Sequence, residues 1–161
     1  MSDRIQSLAA FWPYYLSEHR SPTSRRLHFV GTTGWLLACV ASAVSNPVFF
    51  PPALLLLAVI GWDAVRREHK GRPLLHLVLM LAFPIAASPV IFPAGVVFAY
   101  GCAWVGHFRI EHNRPATFYY PVWSLTCDLR MWSHMLRGRL WDGDPLLELG
   151  LQDSWSAAAS T

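Results

Sequence analysis

The stretch PLLHLVLMLAFPIAASPVIFPAGVVFAYGCAWVGHF, residues 73–108, contains no Lys, Arg, Asp or Glu. A second charge-free stretch, also of 36 residues, runs from Leu27 to Trp62. One membrane-spanning helix needs roughly 20 apolar residues, so each stretch is too long for one helix and sufficient for two short ones. Prolines interrupt both stretches near the middle, in SNPVFFPP (45–52) and FPIAASPVIFP (83–93). The sequence therefore predicts two helical hairpins.

Composition favours a membrane location for these hairpins. Hydrophobic residues make up 53% of the 161-residue chain and charged residues 14%, whereas soluble domains carry about 25% charged residues. We expect a single all-α domain, residues 1–150, built as an integral membrane helical bundle. Its four transmembrane helices are predicted at about 27–45, 50–63, 73–88 and 92–112. The alternative is a soluble helical bundle that buries both hairpins.

Basic residues predict the orientation of the bundle. All thirteen Lys and Arg lie before Leu27, in the connection at 63–72, or after Phe108, and the two hairpin turns have none. The positive-inside rule then places both termini and the central connection on the cytoplasmic side of the lipid bilayer. The formal net charge is only +3, and we expect no nucleic-acid partner.

The two ends of the domain carry aromatic segments that suit the membrane interface. An amphipathic helix is predicted at about 7–19 and a second, rich in Trp, Met and Arg, at about 122–140. The second helix can lie on an anionic membrane surface or pack on the protein's own cytoplasmic face. Residues 151–161 are expected to form a disordered tail.

Histidines cluster where the chain enters and leaves the predicted bundle. His28 is the second residue of the first charge-free stretch, and His107 is the second-last residue of the other. His19 precedes His28 across a helix break, because Ser21 is a good N-cap and the following proline suits the first helical turn. If the first and fourth membrane helices are neighbours, His19, His28, His107 and Glu111 can converge.

This set of side chains has the composition of a metal site. His107 and Glu111 are four residues apart and share one face of a helix. Imidazoles with a carboxylate suit a single non-haem iron, and histidine-rich sets also suit zinc. The sequence has no repeated close His pairs, so one metal ion is favoured over two. His112 joins the site only if the helix ends at Glu111, and Glu111 can instead pair with a neighbouring arginine.

The remaining histidines have simpler interpretations. His69 and His134 are expected to be capped or surface groups, and His76 is either structural or an additional ligand. Spacing alone also leaves two other functions open. The chain can be a non-catalytic membrane scaffold or lipid-binding protein, or a haem protein with His28 and His107 as axial ligands.

Two blocks of sequence resemble those of a known family. The blocks are FWPYYLSEH (11–19) with RRLHFVGT (25–32), and WVGHFRIEHNRPATFYYPVWSLTCDLRMW (104–132). They look like the signature of a small membrane-protein family, long labelled a domain of unknown function, which includes the fungal 2-hydroxy fatty acid dioxygenase of phytosphingosine breakdown. The chain is similar to the short bacterial form, which implies a bacterial inner membrane.

The resemblance implies an Fe(II)-dependent α-oxidation. A 2-hydroxy fatty acid would react with O₂, without 2-oxoglutarate, and lose its carboxyl carbon. The family's essential histidines correspond to His19, His28 and His107, which we expect to bind the metal. Glu111 and His112 fall on further positions of the motif and are expected as additional ligands, Glu111 alternatively as a partner of an imidazole N–H. Other residues would bind substrate: Arg114 or Asn113 its carboxylate, and Tyr14 and Tyr119 its tail.

Overall fold

The computed structural model describes residues 4–70 and 74–152, and it confirms the all-α class. Within these ranges every regular element is helical. The α-helices are α1 (Leu8–Ser17), α2 (Pro22–Ser45), α3 (Phe50–Arg67), α4 (Leu74–Ala87), α5 (Ile91–Val105), α6 (Pro121–Leu136) and α7 (Pro145–Glu148). Short 3₁₀ turns lie at Glu68–Lys70 and Ala116–Phe118, and a π-helical segment, Gly106–Glu111, continues α5. Most of the predicted tail, beyond Gln152, lies outside the described residues.

Helices α2 and α5 pack closely because small residues line their contact. A Cβ atom added at Gly31 would lie 3.0 Å from the Cβ of Cys102 and 3.1 Å from the carbonyl oxygen of Ala99. Gly34 and Gly95 also lie in this contact, against Phe98 and Ala38. The first and fourth apolar helices are therefore neighbours, as convergence of the histidines requires.

Both hairpin turns lie at one end of the bundle. The side-chain amide of Asn46, which follows α2, donates to the carbonyl oxygen of Ala87 at 2.9 Å. The hydroxyl of Ser88 donates to that of Ser42 at 2.9 Å. These bonds connect the α2–α3 turn to the α4–α5 turn.

The basic connections meet at the opposite end. The Arg4 guanidinium donates to the carbonyl oxygens of Glu68 and Tyr119, at 3.0 and 2.8 Å. The buried Glu68 carboxylate accepts a hydrogen bond from the backbone N–H of Val122 at 2.9 Å and another from that of Trp123. The N-terminal segment, the central connection and the start of α6 thus share one end.

Helices α1 and α6 form the largest buried cluster. Phe11, Trp12, Trp123, Met131 and Met135 are each at most 3% exposed within it. One face of the segment predicted at 122–140 therefore packs on the protein itself, and the helix ends at Leu136. The chain beyond α6 is held by the buried guanidinium of Arg25, which donates to the carbonyl oxygen of Leu140 at 2.7 Å.

Two helices have the length and apolarity needed to cross a membrane: Pro22–Ser45 with 24 residues, and Ile91–Glu111 with 21. Helix α4 is apolar but shorter. Helix α3 continues to Arg67, into the connection predicted from residue 63, and carries Asp63 and Arg66 near its end. Large apolar side chains on these helices are exposed, including Val44 at 75% and Val97 at 71%.

Candidate metal centre

The corner between α1 and α2 brings His19 and His28 together. Helix α1 ends at Ser17 and α2 begins at Pro22, so four residues connect the two helices. Arg25 fixes this corner, because its guanidinium donates to the carbonyl oxygens of His19 at 3.0 Å and Arg20 at 2.6 Å. Both imidazoles are buried there, with His19 0% and His28 7% exposed.

The π-helical end of α5 supplies the third histidine. Glycine at position 106 allows close approach, since a Cβ atom there would lie 2.9 Å from Oγ of Ser24 on α2. His107 is consequently 3% exposed and faces His19 and His28. π-Helical turns inside α-helices occur frequently at functional sites.

The three imidazoles form one compact group. Ring centroids are separated by 4.5 Å between His19 and His28, 4.7 Å between His19 and His107, and 5.3 Å between His28 and His107. One ring nitrogen from each residue lies within 4.8 Å of the others. The Nε2 atoms of His19 and His28 are 3.2 Å apart, close to the separation of about 3 Å expected for two nitrogens that each bind one metal at about 2.1 Å.

Hydrogen bonds to oxygen determine the tautomer of all three rings. Nδ1 of His19 lies 2.6 Å from the carbonyl oxygen of Tyr15, Nδ1 of His28 lies 2.7 Å from Oδ1 of Asp128, and Nδ1 of His107 lies 2.7 Å from Oδ1 of Asn113. A carbonyl or carboxylate oxygen only accepts, so each Nδ1 carries the proton and donates. In the neutral ring Nε2 then has a free lone pair, which is the form in which imidazole binds metals.

This arrangement fits a cation. Two nitrogen lone pairs at 3.2 Å repel each other unless a positive charge lies between them or beside both. Burial lowers the pKa of His19 well below its ordinary value of 6.5, and the neighbouring His28 and His107 lower it further. A proton is therefore disfavoured at His19, whereas a metal ion satisfies the Nε2 atoms together.

Asp128 is a site residue that the sequence did not predict. Its carboxylate accepts hydrogen bonds from the Tyr15 hydroxyl at 3.1 Å and from the Thr32 hydroxyl, besides that from His28. The bonds from Tyr15 and Thr32 thus hold in place the carboxylate that orients the His28 imidazole. One feature of the sequence could have suggested this role: Asp128 is the one acidic residue of α6, and it lies within the family-like block 104–132.

Glu111 and His112 lie outside the histidine group. Oε1 of Glu111 accepts a hydrogen bond from the backbone N–H of Ser21 at 2.8 Å, which places the carboxylate at the N-terminus of α2. The π-helix ends at Glu111, and His112 follows with a left-handed φ of 53° and an exposed side chain. Neither belongs to the group of converging ligand atoms among the described residues.

A cavity of about 100 Å³ borders the centre between α5 and α6. His28, His107 and Asp128 contribute its polar wall next to the metal site. The apolar wall includes Ala103 and Leu125. The cavity reaches the outer surface of the bundle, because two further lining residues are about half exposed: Tyr100 at 44% and Trp104 at 46%.

The residues expected to bind substrate lie elsewhere. Asn113 instead joins two segments, since its amide nitrogen donates to the carbonyl oxygen of Glu18 at 2.9 Å while its oxygen accepts from His107. Arg114 is exposed. Neither Arg114, Tyr14 nor Tyr119 is among the described residues that line the cavity.

Two of the other histidines, His76 and His134, have partners away from the metal centre. Nε2 of His76 lies 2.8 Å from the Asp63 carboxylate, linking α4 to α3. The ring of His134 stacks on that of Trp12, with centroids 5.9 Å apart. Among the described residues, His76 is not one of the converging ligands. Its contact with Asp63 instead joins the two helices of the α3–α4 hairpin.

Fold and site together define a helical protein with a buried three-histidine centre able to hold a metal ion, and with two helices able to span a membrane. The family model described as 2-hydroxy-palmitic acid dioxygenase Mpo1-like matches residues 5–140. The chain therefore belongs to the Mpo1-like family, which confirms the resemblance found in its two sequence blocks. No curated protein and no solved structure matches the chain significantly.

Proposed function

We propose that the chain is a non-haem iron dioxygenase that shortens 2-hydroxy fatty acids by one carbon. The observation that carries this proposal is the convergence of the His19, His28 and His107 imidazoles, with one ring nitrogen of each within 4.8 Å of the others, beside a cavity. The family description supplies the substrate class and the reaction type.

His19, His28 and His107 would hold Fe(II), which when bound would supply a redox-active centre for the reaction of O₂ with the 2-hydroxy acid, and that acid is the source of the electrons. The three imidazoles leave other coordination positions open to small molecules. In the overall reaction one O₂ accepts four electrons, and the products are CO₂, water and the acid one carbon shorter. The protein orients the three imidazoles through their hydrogen bonds to Tyr15, Asp128 and Asn113.

The cavity supports an amphiphilic substrate. The polar wall of the cavity is formed next to the histidines. On the side lined by Tyr100 and Trp104, the cavity opens onto the exposed apolar face of α5. A fatty acid can place its head in the cavity while its acyl chain continues along that face. Exposed Val97 and Phe98 extend the apolar surface.

A bilayer is the proposed environment of that surface. A soluble protein rarely exposes large contiguous apolar patches, whereas the helices here expose many apolar side chains, such as Leu37 at 63% and Leu55 at 67%. The metal centre lies at the end of the bundle where the basic segments meet. We infer that this end, with both termini, faces the cytoplasm in a bacterial inner membrane.

The haem alternative fits the geometry less well. Nε2 of His19 lies 3.2 Å from Nε2 of His28, within the space that a macrocycle bound to His28 would need. The neighbouring cavity, about 100 Å³, is also far smaller than the 300–1,000 Å³ typical of sites that enclose a whole ligand. A fatty acid does not need a cavity that encloses it completely, because its acyl chain can remain outside the cavity, among lipids.

The test is to purify the protein in detergent under nitrogen with Fe(II), determine bound iron, and supply 2-hydroxypalmitate and air. We expect about one iron per chain, no haem absorption band, and pentadecanoic acid with CO₂ as products. Iron binding without any loss of 2-hydroxypalmitate would contradict the dioxygenase. A protein that retains no metal would support the non-catalytic lipid-binding alternative.

Variants of two histidines sharpen this test. His107→Ala removes one proposed ligand and should abolish both iron binding and turnover. The matched control is His112→Asn, because His112 is exposed and asparagine tolerates its left-handed backbone, φ 53°. Far-UV circular dichroism and gel filtration would show that both variants remain folded.

A further inference from the structure

Ser124 presents a buried hydroxyl with an unmet hydrogen-bonding capacity at the cavity. The residue is 5% exposed and lines the cavity beside the metal centre. Its Oγ has no hydrogen-bond partner. Burying a hydroxyl without a partner is unfavourable, and a helical serine can usually bond back to the carbonyl four residues earlier.

A second observation concerns charge in the cavity. Among the described residues that line it, none is Lys or Arg. The Nδ1–H groups of His28 and His107 already donate to Asp128 and Asn113. The Tyr15 hydroxyl likewise donates to Asp128. An acid bound here therefore needs a donor from the remaining polar lining residues, Tyr100, Trp104, Thr117 and Ser124, and of these only Ser124 has a fully buried hydroxyl without a partner.

The position of Ser124 suits that role. It lies four residues before Asp128 on α6, so both side chains point from the same face of the helix into the cavity wall. Asp128 contacts His28, and Ser124 lies about one helical turn from Asp128 along α6. Tyr100 and Trp104 lie on the wall contributed by α5.

We propose that Ser124 is a substrate-positioning residue whose hydroxyl donates a hydrogen bond to the carboxylate of a long-chain 2-hydroxy acid. The acyl chain then leaves the cavity past Tyr100 and Trp104. This inference rests on the proposed function for its substrate class. It replaces the expectation that Arg114 holds the carboxylate, since Arg114 is exposed and not part of the cavity wall.

The experiment measures equilibrium binding to iron-loaded protein under nitrogen, so that no turnover occurs. Three ligands are compared: 2-hydroxypalmitate, palmitate, and 1,2-hexadecanediol, which lacks the carboxylate. Ser124→Ala should weaken binding of 2-hydroxypalmitate and palmitate about tenfold, the effect of losing a hydrogen bond to a charged group. Binding of the diol should stay the same within a factor of two.

Ser24→Ala is the matched control. Ser24 also has a fully buried hydroxyl without a partner, but it lies against Gly106 and is not a lining residue of the cavity. Its substitution should leave all three affinities unchanged. Because Ser124→Ala removes an unsatisfied hydroxyl, we also expect its thermal midpoint without ligand to rise by about 2–4 °C.

The outcomes separate this proposal from the dioxygenase. Unchanged affinity of Ser124→Ala for both acids would overturn the role of Ser124, whatever the enzyme does under air. Equal weakening for the diol would also overturn it, because the bond would then involve the 2-hydroxyl. If the binding pattern holds while air produces no pentadecanoic acid, the positioning role stands and the dioxygenase is wrong.

Discussion

The carboxylate of Asp128 lies 2.7 Å from Nδ1 of His28 and connects α6 to the metal centre. The same carboxylate accepts from Tyr15 on α1 and Thr32 on α2. One acidic group therefore holds three helices around the imidazole it orients. Partners of this kind also raise the basicity of a metal-binding imidazole.

Asp128→Asn should weaken iron binding about 10–100-fold. The asparagine keeps an oxygen acceptor but loses the negative charge that supports His28 as a ligand. The measurement is competition with a chelator of known affinity. Asp142→Asn serves as the control, because Asp142 pairs with Arg26 at an exposed site. If both variants lose iron at the same chelator concentration, Asp128 has only a packing role.

Helix positions could largely be predicted because the charge-free stretches and their prolines carry strong local signals. The third and fourth apolar segments, for example, meet at a turn that contains Ser88 and Pro89. Close pairing of α2 with α5 could not be read from periodicity. It depends on glycines that face the other helix far away in sequence: Gly31 lies against Ala99 and Cys102, and Gly95 lies against Ala38.

Proximity of site residues was easiest to predict where one residue type implied one chemistry. Histidine at a helix end suggested a ligand, and the structure brings His19, His28 and His107 together. Asn113 and Asp128 were harder, because their roles depend on the rotamers of imidazoles far away in sequence. Glu111 was expected near the metal from its spacing to His107, but the π-helical segment and the nearby N-terminus of α2 give its carboxylate a backbone partner instead.

Asn113→Ala should reduce iron affinity, whereas Asn113→Asp should retain most of it. Alanine leaves Nδ1 of His107 without its acceptor at 2.7 Å, so the ring can rotate or change tautomer. Aspartate keeps an oxygen at the same position and adds negative charge. The readouts are iron content and the visible spectrum of the Co(II)-substituted protein. Identical spectra for wild type and Asn113→Ala would contradict this orienting role.

Acid should destabilise the metal-free protein through His19. Its pKa in the folded protein is well below the ordinary 6.5, first because of burial. Below pH 6.5 the unfolded chain therefore binds more protons at this residue than the folded one, and stability falls as pH decreases. Thermal midpoints in EDTA between pH 7.5 and 5 should decline less steeply for His19→Gln than for wild type. Parallel curves would exclude His19 as the source.

Glu68 should make the stability of the folded protein depend on pH in the opposite direction, with stability lost as pH rises. Burial raises the pKa of its carboxyl from 4.5 to about 7, although the backbone N–H groups of Val122 and Trp123 oppose that shift. The folded protein holds this proton more tightly, so its contribution to stability is complete below pH 4.5 and is lost as pH rises through about 7. Relative to wild type, Glu68→Gln should gain about 2–3 kcal/mol between pH 4.5 and 7.5. A constant difference between the two proteins across this range would refute the assignment.

Gly31→Val should separate α2 from α5 and thereby disrupt the metal centre without altering any ligand. The added Cβ would lie 3.0 Å from that of Cys102 and 3.1 Å from the Ala99 carbonyl oxygen, and neither atom can move without shifting α5.

Gly101→Val is the control, since a Cβ there meets no atom within 4 Å. Both variants place the same β-branched residue in a helix interior, so propensity affects them alike. We expect at least a tenfold loss of iron affinity for Gly31→Val and less than twofold for Gly101→Val. Equal iron affinity in the two variants would show that the three histidines can converge without close packing of α2 and α5.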